Sequence, residues 1–111
     1  MRIRSEKNVL WLEPVGDLDL ALCPELRETV FRAIDGGARH ILFDLARTDF
    51  IDSSGLGLLL TIYKRVAPLG GTVRVERATP RVYKIFHLAG LDEILAIGVV
   101  AGEEKDVQRA R

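Results

Sequence analysis

Thr48-Asp49-Phe50-Ile51-Asp52-Ser53-Ser54-Gly55-Leu56-Gly57 joins an apolar run, Ile41-Leu42-Phe43-Asp44-Leu45, to a long apolar-periodic segment. The run reads as a buried strand, and Leu56 to Leu69 reads as a helix. Asp52-Ser53-Ser54 therefore sits where a strand hands over to a helix N-terminus. Asp and Ser are favoured there because their side-chain oxygens accept bonds from free backbone N–H groups. That explains Asp52 and one serine, but not a second serine with two glycines in the first turn. Gly55 and Gly57 should each weaken a helix by about 0.5–1 kcal/mol relative to Ala. Two such weaknesses at one helix start imply that the backbone is closely approached there, by the sheet or by another molecule.

Upstream, Arg2-Ile3-Arg4 alternates weakly and Val9-Leu10-Trp11-Leu12 is a stronger apolar run, with Lys7-Asn8 placed to turn between them as a hairpin. Gly16-Asp17-Leu18-Asp19 reads as a loop. A first helix is predicted from Cys23-Pro24, since proline suits the first helical position. Its buried stripe is Leu26, Val30, Ala33 and Ile34, and Gly36-Gly37 ends it. The helix after the serines carries two apolar stripes, Leu56, Leu59, Leu60, Tyr63 and Ala67 on one and Leu58, Ile62 and Val66 on the other. A surface helix needs one. Either the helix is wedged between neighbours or its second face docks something. Pro68 and Gly70-Gly71 end it.

Downstream, Thr72-Val73-Arg74-Val75-Glu76 alternates as a strand. Thr79-Pro80 supplies a cap and a first-turn proline for a third helix, with the stripe Val82, Ile85, Phe86 and Ala89 and a stop at Gly90. A short strand is expected near Ala96–Val100. The charged stretch 103–111 is expected to be a frayed tail or short helix. Strands alternating with helices imply a largely parallel sheet, made mixed by the hairpin, in an α/β domain of four or five strands.

A chain of 111 residues, 48% hydrophobic, makes one globular domain over 1–111. Its 16 basic and 16 acidic side chains cancel, so no global field draws it to nucleic acid or anionic lipid. The single cysteine, Cys23, forms no internal disulfide and fits a reducing compartment. No stretch reads as a secretory leader or a membrane span, so a cytoplasmic location without membrane insertion is expected.

The stretch Asp52-Ser53-Ser54-Gly55-Leu56-Gly57 resembles the signature of the STAS domain, the sulfate-transporter and anti-sigma-factor-antagonist family. The resemblance extends to Gly16-Asp17-Leu18-Asp19, the His40-to-Leu45 strand, Gly70-Gly71 and Leu88-Ala89-Gly90-Leu91, and so spans about Val9 to Ile97. It implies helices mainly on one face of the sheet. From residues alone, Ser54 is a capping or padding serine. The resemblance implies that it is the phosphorylation site, because the second serine of this motif is phosphorylated in anti-sigma factor antagonists. It implies a partner surface of Asp19, Asp52, Ser53, Ser54, Gly55 and Leu56, with Leu18 as a further apolar candidate. The partners implied are an anti-sigma factor that is also a serine kinase, bound when Ser54 is unphosphorylated, and a serine phosphatase that resets Ser54. ATP would bind the kinase, so no cofactor is expected on this chain. The alternative within the family is a cytoplasmic STAS subunit of a membrane transporter, docked on a transport ATPase.

Catalysis has little support in the residues. A serine nucleophile needs a base, and neither His40 nor His87 stands in a motif that makes it one. The Gly-x-Ser-x-Gly and Gly-x-x-x-x-Gly-Lys patterns are absent. Cys23, His40 and His87 show no metal-ligand spacing, so no metal is expected. Arg74, Arg77, Arg81 and Lys84 read as a solvated basic cluster.

Overall fold

In a computed structural model of the chain, residues 1–100 are described, and the charged stretch 103–111 lies outside them. Strand β1 (Arg2–Glu6) reverses at Lys7-Asn8 into β2 (Val9–Glu13), and the two pair antiparallel with Arg4 opposite Trp11. Lys7 takes φ 56, the left-handed conformation that a two-residue reversal demands. Helix α1 (Cys23–Asp35), β3 (His40–Asp44), α2 (Ser53–Val66), β4 (Thr72–Ala78), α3 (Pro80–Leu88) and β5 (Ala96–Val99) follow in turn. The five strands lie side by side in chain order, and every pair after the first is parallel.

Each parallel neighbour is reached over one helix. Such crossovers share one hand, and the strands are added in one direction, so all three helices fall on the same face. Burial agrees: Leu10, Leu12, Ile41, Phe43, Val73 and Val75 are buried beneath the helices. Arg4, Trp11, Leu42, Arg74 and Ala96 form one row across the open face.

The helices begin and end for the reasons their sequences supply. Pro24 opens α1, Leu26, Val30 and Ile34 are buried, and Gly37 turns the chain away at φ 116. Thr79 caps α3, its hydroxyl accepting the Val82 N–H at 3.2 Å. Val82 and Phe86 carry the packing of α3. Ala89, predicted for that stripe, is exposed, because the helix has ended at Leu88 and Gly90 (φ 78) redirects the backbone. In α2 the core stripe is Leu58, Leu59, Ile62 and Val66. Leu56 and Tyr63 on the other stripe are half-buried at the margin of the core. The second stripe is thus covered only in part.

On the open face two carboxylates are buried, Glu13 at 3% exposed and Asp44 at 4%. Arg77 holds both: its Nε and Nη2 donate to Asp44 Oδ2 at 3.0 and 2.6 Å, and Nη2 reaches Glu13 Oε2 at 3.4 Å. Arg77 takes φ 55, within the register shift between Val75 and Ala78 of β4. A non-glycine residue in that conformation is disfavoured by about 1–2 kcal/mol. Without Arg77 the buried Asp44 would lose its ion partner and Glu13 would keep only Arg2, at 3.4 Å, which is worse, so the ion contact outweighs the backbone strain.

A second polar link ties α3 to the turn before β5. His87 Nδ1 lies 2.7 Å from Asp92 Oδ2, and the Tyr83 hydroxyl donates to the same oxygen at 3.4 Å. The hydrogen bond from His87 holds the Asp92 carboxyl below its ordinary value of 3.8. A folded-state value below the unfolded one contributes stability above about pH 4, and this is lost as pH falls through the depressed value. Asp92→Asn is expected to lower the urea midpoint at about pH 6 and to flatten its decline on acidification. Parallel urea titrations of the two proteins across that range check this; equal slopes would remove Asp92 from the account.

Candidate functional site

Strands β2, β3 and β4 end, on their C-terminal side, under three connections: residues 14–22, residues 45–52 and Thr79. Ligands of open α/β sheets gather at this edge. The first two connections are stitched together. The Gly16 N–H donates to the Arg47 carbonyl at 2.9 Å, the Leu18 N–H to the Phe50 carbonyl at 2.9 Å, and the Asp52 N–H to the Leu18 carbonyl at 3.1 Å. Leu18 and Ile51 form an isolated parallel bridge. Leu18 is 1% exposed and belongs to the core, so it is not part of a surface patch.

Asp19 follows immediately. Its Oδ1 accepts the N–H groups of Ala21 and Leu22, each at 3.1 Å, and its carbonyl accepts those of Leu22 and Cys23. It thereby organises the turn that launches α1. Asp52 does the same for α2. It is extended at φ −97, ψ −175, and its Oδ1 accepts the Gly55 N–H at 3.0 Å. The capping side chain is Asp52, and Ser53 and Ser54 occupy the first two helical positions. Ser53 is exposed and Ser54 half-exposed.

Gly55 and Gly57 separate into two kinds. A β-carbon at Gly55 would stand 2.6 Å from both the Leu18 carbonyl oxygen and the Ile51 Cγ1, whereas one at Gly57 would meet nothing within 4 Å. Gly55 is buried by the stitched loops, Gly57 is exposed, and Leu56 between them is half-buried against the core margin. The close approach inferred at this helix start is real at Gly55 and comes from the 16–18 loop.

Asp19 and Asp52 converge. Both contribute to raising the Cys23 thiol above its ordinary value, after the larger effect of burial. Cys23 is buried at the start of α1, so the two carboxylates frame the gap between the starts of α1 and α2. The arrangement presents a half-exposed hydroxyl on the positive end of a 14-residue helix, beside two fixed carboxylates. The histidines stand elsewhere. His40 opens β3 at the opposite edge, 2.9 Å from the Thr72 hydroxyl, and His87 is taken up with Asp92.

The basic cluster does not form as one patch. Arg74 lies on the open face, Arg77 holds Asp44, and the Arg81 guanidinium sits 5.8 Å from the Phe50 ring centroid. Phe50 is 39% exposed and went unassigned from sequence. Its signal was alternation: Ile51 is buried, so an extended neighbour points outward.

The STAS domain family model matches residues 1–105. An anti-sigma-B factor antagonist of Bacillus subtilis (strain 168) is 27% identical over 95 residues, 86% of this chain and 86% of that protein. An anti-sigma F factor antagonist of Paenibacillus polymyxa is 31% identical over 98 residues, 87% of this chain and 84% of that protein. Among solved structures, the anti-sigma factor antagonist SpoIIAA in its unphosphorylated form has a TM-score of 0.79 at 23% identity, covering 99% of this chain and 96% of that one. The Bacillus cell fate determinant SpoIIAA in its phosphorylated form has a TM-score of 0.71 at 24% identity, covering 99% and 98%. These two likenesses establish the fold.

The two glycines are expected to answer substitution with opposite signs. Gly55→Ala should destabilise by about 1–3 kcal/mol through overpacking against Leu18 and Ile51. Gly57→Ala should stabilise by about 0.5–1 kcal/mol, as an open helical position allows. Chemical denaturation of the two variants decides it, and a stabilising Gly55→Ala would contradict the packing.

Proposed function

The chain belongs to the STAS domain family, and we propose that it is an anti-sigma factor antagonist switched by phosphorylation of Ser54. It acts by binding rather than by catalysis. With Ser54 unmodified, it holds an anti-sigma factor that is also a serine kinase, and so frees a sigma factor for transcription. The kinase transfers the γ-phosphoryl group of its own ATP to Ser54 Oγ and releases the chain. A serine phosphatase restores the hydroxyl. The observation that carries this reading is the placement of Ser54 as the second residue of α2, half-exposed and one position clear of the Asp52 cap. The names of the relatives and the two forms of SpoIIAA support it.

The physics of the switch follows from that placement. A phosphoserine carries about −1.5 to −2 charges and three acceptor oxygens. At a helix N-terminus it meets free N–H groups and the positive end of the helix dipole, so α2 has no reason to melt. The change appears outside. Bulk and charge replace a hydroxyl beside Asp52 and Asp19, and a partner surface fitted to Ser53, Ser54 and half-buried Leu56 loses its fit. Gly55 serves this surface from beneath, by letting α2 sit against the 16–18 loop. Among the described residues no helix is long and apolar enough to cross a membrane. The reading places the chain in the cytoplasm with its kinase.

Affinity capture with wild type, Ser54→Ala and Ser54→Asp as baits tests the reading, followed by titration of a phospho-Ser54 form verified by mass. A kinase-type anti-sigma factor should be held by wild type and Ser54→Ala. Its affinity for the phosphorylated form should fall about 100-fold or more, as the bulk and desolvation of a phosphate in a contact fitted to a hydroxyl require. Undiminished binding by the phosphorylated form refutes the switch. Equal retention of a transport ATPase by all three baits would favour a transporter subunit instead.

A further inference from the structure

Three large apolar side chains stand exposed at the same edge of the sheet as Ser54: Val15 at 49%, Leu20 at 73% and Phe50 at 39%. Single exposed apolar residues are ordinary; a group of them in two stitched loops marks an interaction surface. The stitching ties them to the serine. Phe50 accepts the Leu18 N–H, Leu20 lies two residues beyond Leu18, and Leu18 packs where Gly55, the neighbour of Ser54, lacks a β-carbon. Arg81 from α3 lies over the Phe50 ring and steadies it without covering it.

The charge around these side chains is one-sided. Connections 14–22 and 45–52 carry Asp17, Asp19, Asp49 and Asp52 against Arg47, with Arg81 of α3 beside Phe50 as a second cation, while the whole chain balances at 16 and 16. We propose that Leu20 and Phe50 are the apolar anchors of this edge, entering an apolar pocket on the anti-sigma factor whose rim is lined by Lys and Arg. This rests on the reading of Ser54 as the switch toward that partner, and it adds which side chains hold the partner and what surface they fit. The anchors share the serine's edge of the sheet, in the loops stitched against Gly55, so a phosphate on Ser54 would enter the same partner contact. An apolar anchor at the centre of an interface carries much of its binding energy, and the acidic rim selects a basic partner and speeds its encounter.

The test uses the full chain titrated into each purified anti-sigma factor of the source organism, with Leu20→Ser, Phe50→Ser, Leu69→Ser and Ser54→Asp variants. Leu69 is the control: it is 53% exposed and lies before β4, at the opposite edge of the sheet. Leu20→Ser and Phe50→Ser should each raise Kd at least about tenfold, with Leu69→Ser unchanged. The affinity of wild type should fall steeply with added salt. Leu20 is the more exposed, so Leu20→Ser keeps the test decisive if Phe50→Ser folds poorly. Wild-type affinity in both anchor variants, with binding abolished by Ser54→Asp, overturns the anchors and leaves the switch standing. Equal weakening by Leu69→Ser also overturns the anchors. Binding unaffected by Ser54→Asp refutes the switch, and no binding by wild type refutes both.

Discussion

Gly55 stands where a β-carbon would come within 2.6 Å of the Leu18 carbonyl oxygen and the Ile51 side chain. That close approach is the constraint on which the serine-bearing edge depends. It lets the 16–18 loop bond to residues 47–52 as though it were one more strand, with Leu18 buried in the seam. Asp19, next in the chain, is thereby delivered beside Asp52. Both carboxylates are then fixed by the helix starts they organise, Asp19 before α1 and Asp52 at the cap of α2. A larger residue at 55 would push the loop away and part them. The glycine is therefore a structural requirement of the site without itself presenting anything to a partner.

The same economy divides the two faces of the sheet. Helices on one side bury the alternate apolar residues of β2, β3 and β4, and the other side is left to side chains that cover one another. Trp11 lies under the guanidinium groups of Arg4 and Arg2, at 4.4 and 5.7 Å from the ring centroid. Glu13 and Asp44 are buried under Arg77. Arginine suits this work because its planar group stacks on an indole and binds carboxylates through two nitrogens at once. The open face is closed by its own charges, whereas the serine edge leaves Leu20 and Phe50 uncovered.

Much of this was legible in the chain. Hydrophobic period placed the strands and helices, Pro24, Thr79-Pro80 and Gly37 marked their ends, and Asp52-Ser53-Ser54-Gly55 marked the strand-to-helix junction that holds the candidate site. What escaped has a common physical origin. Period reports which residues share a face, not how far that face is covered, so the two stripes of α2 could not be ranked, nor Ala89 excluded from the core. Sequence proximity also misled for Arg74, Arg77 and Arg81. A register shift turns Arg77 onto Asp44 on the open face that Arg74 shares, and a helix start sends Arg81 to the serine edge, beside Phe50. Leu18 was ambiguous for a similar reason: a loop residue is read as exposed unless its backbone bonds are known, and those are made with residues about thirty positions away.

If Ser54 is phosphorylated as proposed, the position of its hydroxyl makes the switch a rigid one. Phosphate at a helix N-terminus is favoured by about 0.3–1 kcal/mol through the dipole alone, so modification does not work against the fold. On that reading, release comes from the partner side, through the lost fit. Such a mechanism needs an interface whose energy is concentrated near the modified atom, since a distant contact would survive the phosphate. The exposed apolar residues in the loops stitched around Gly55 meet that need. They share the serine's edge of the sheet, and they stand apart from the core that holds α2 in place.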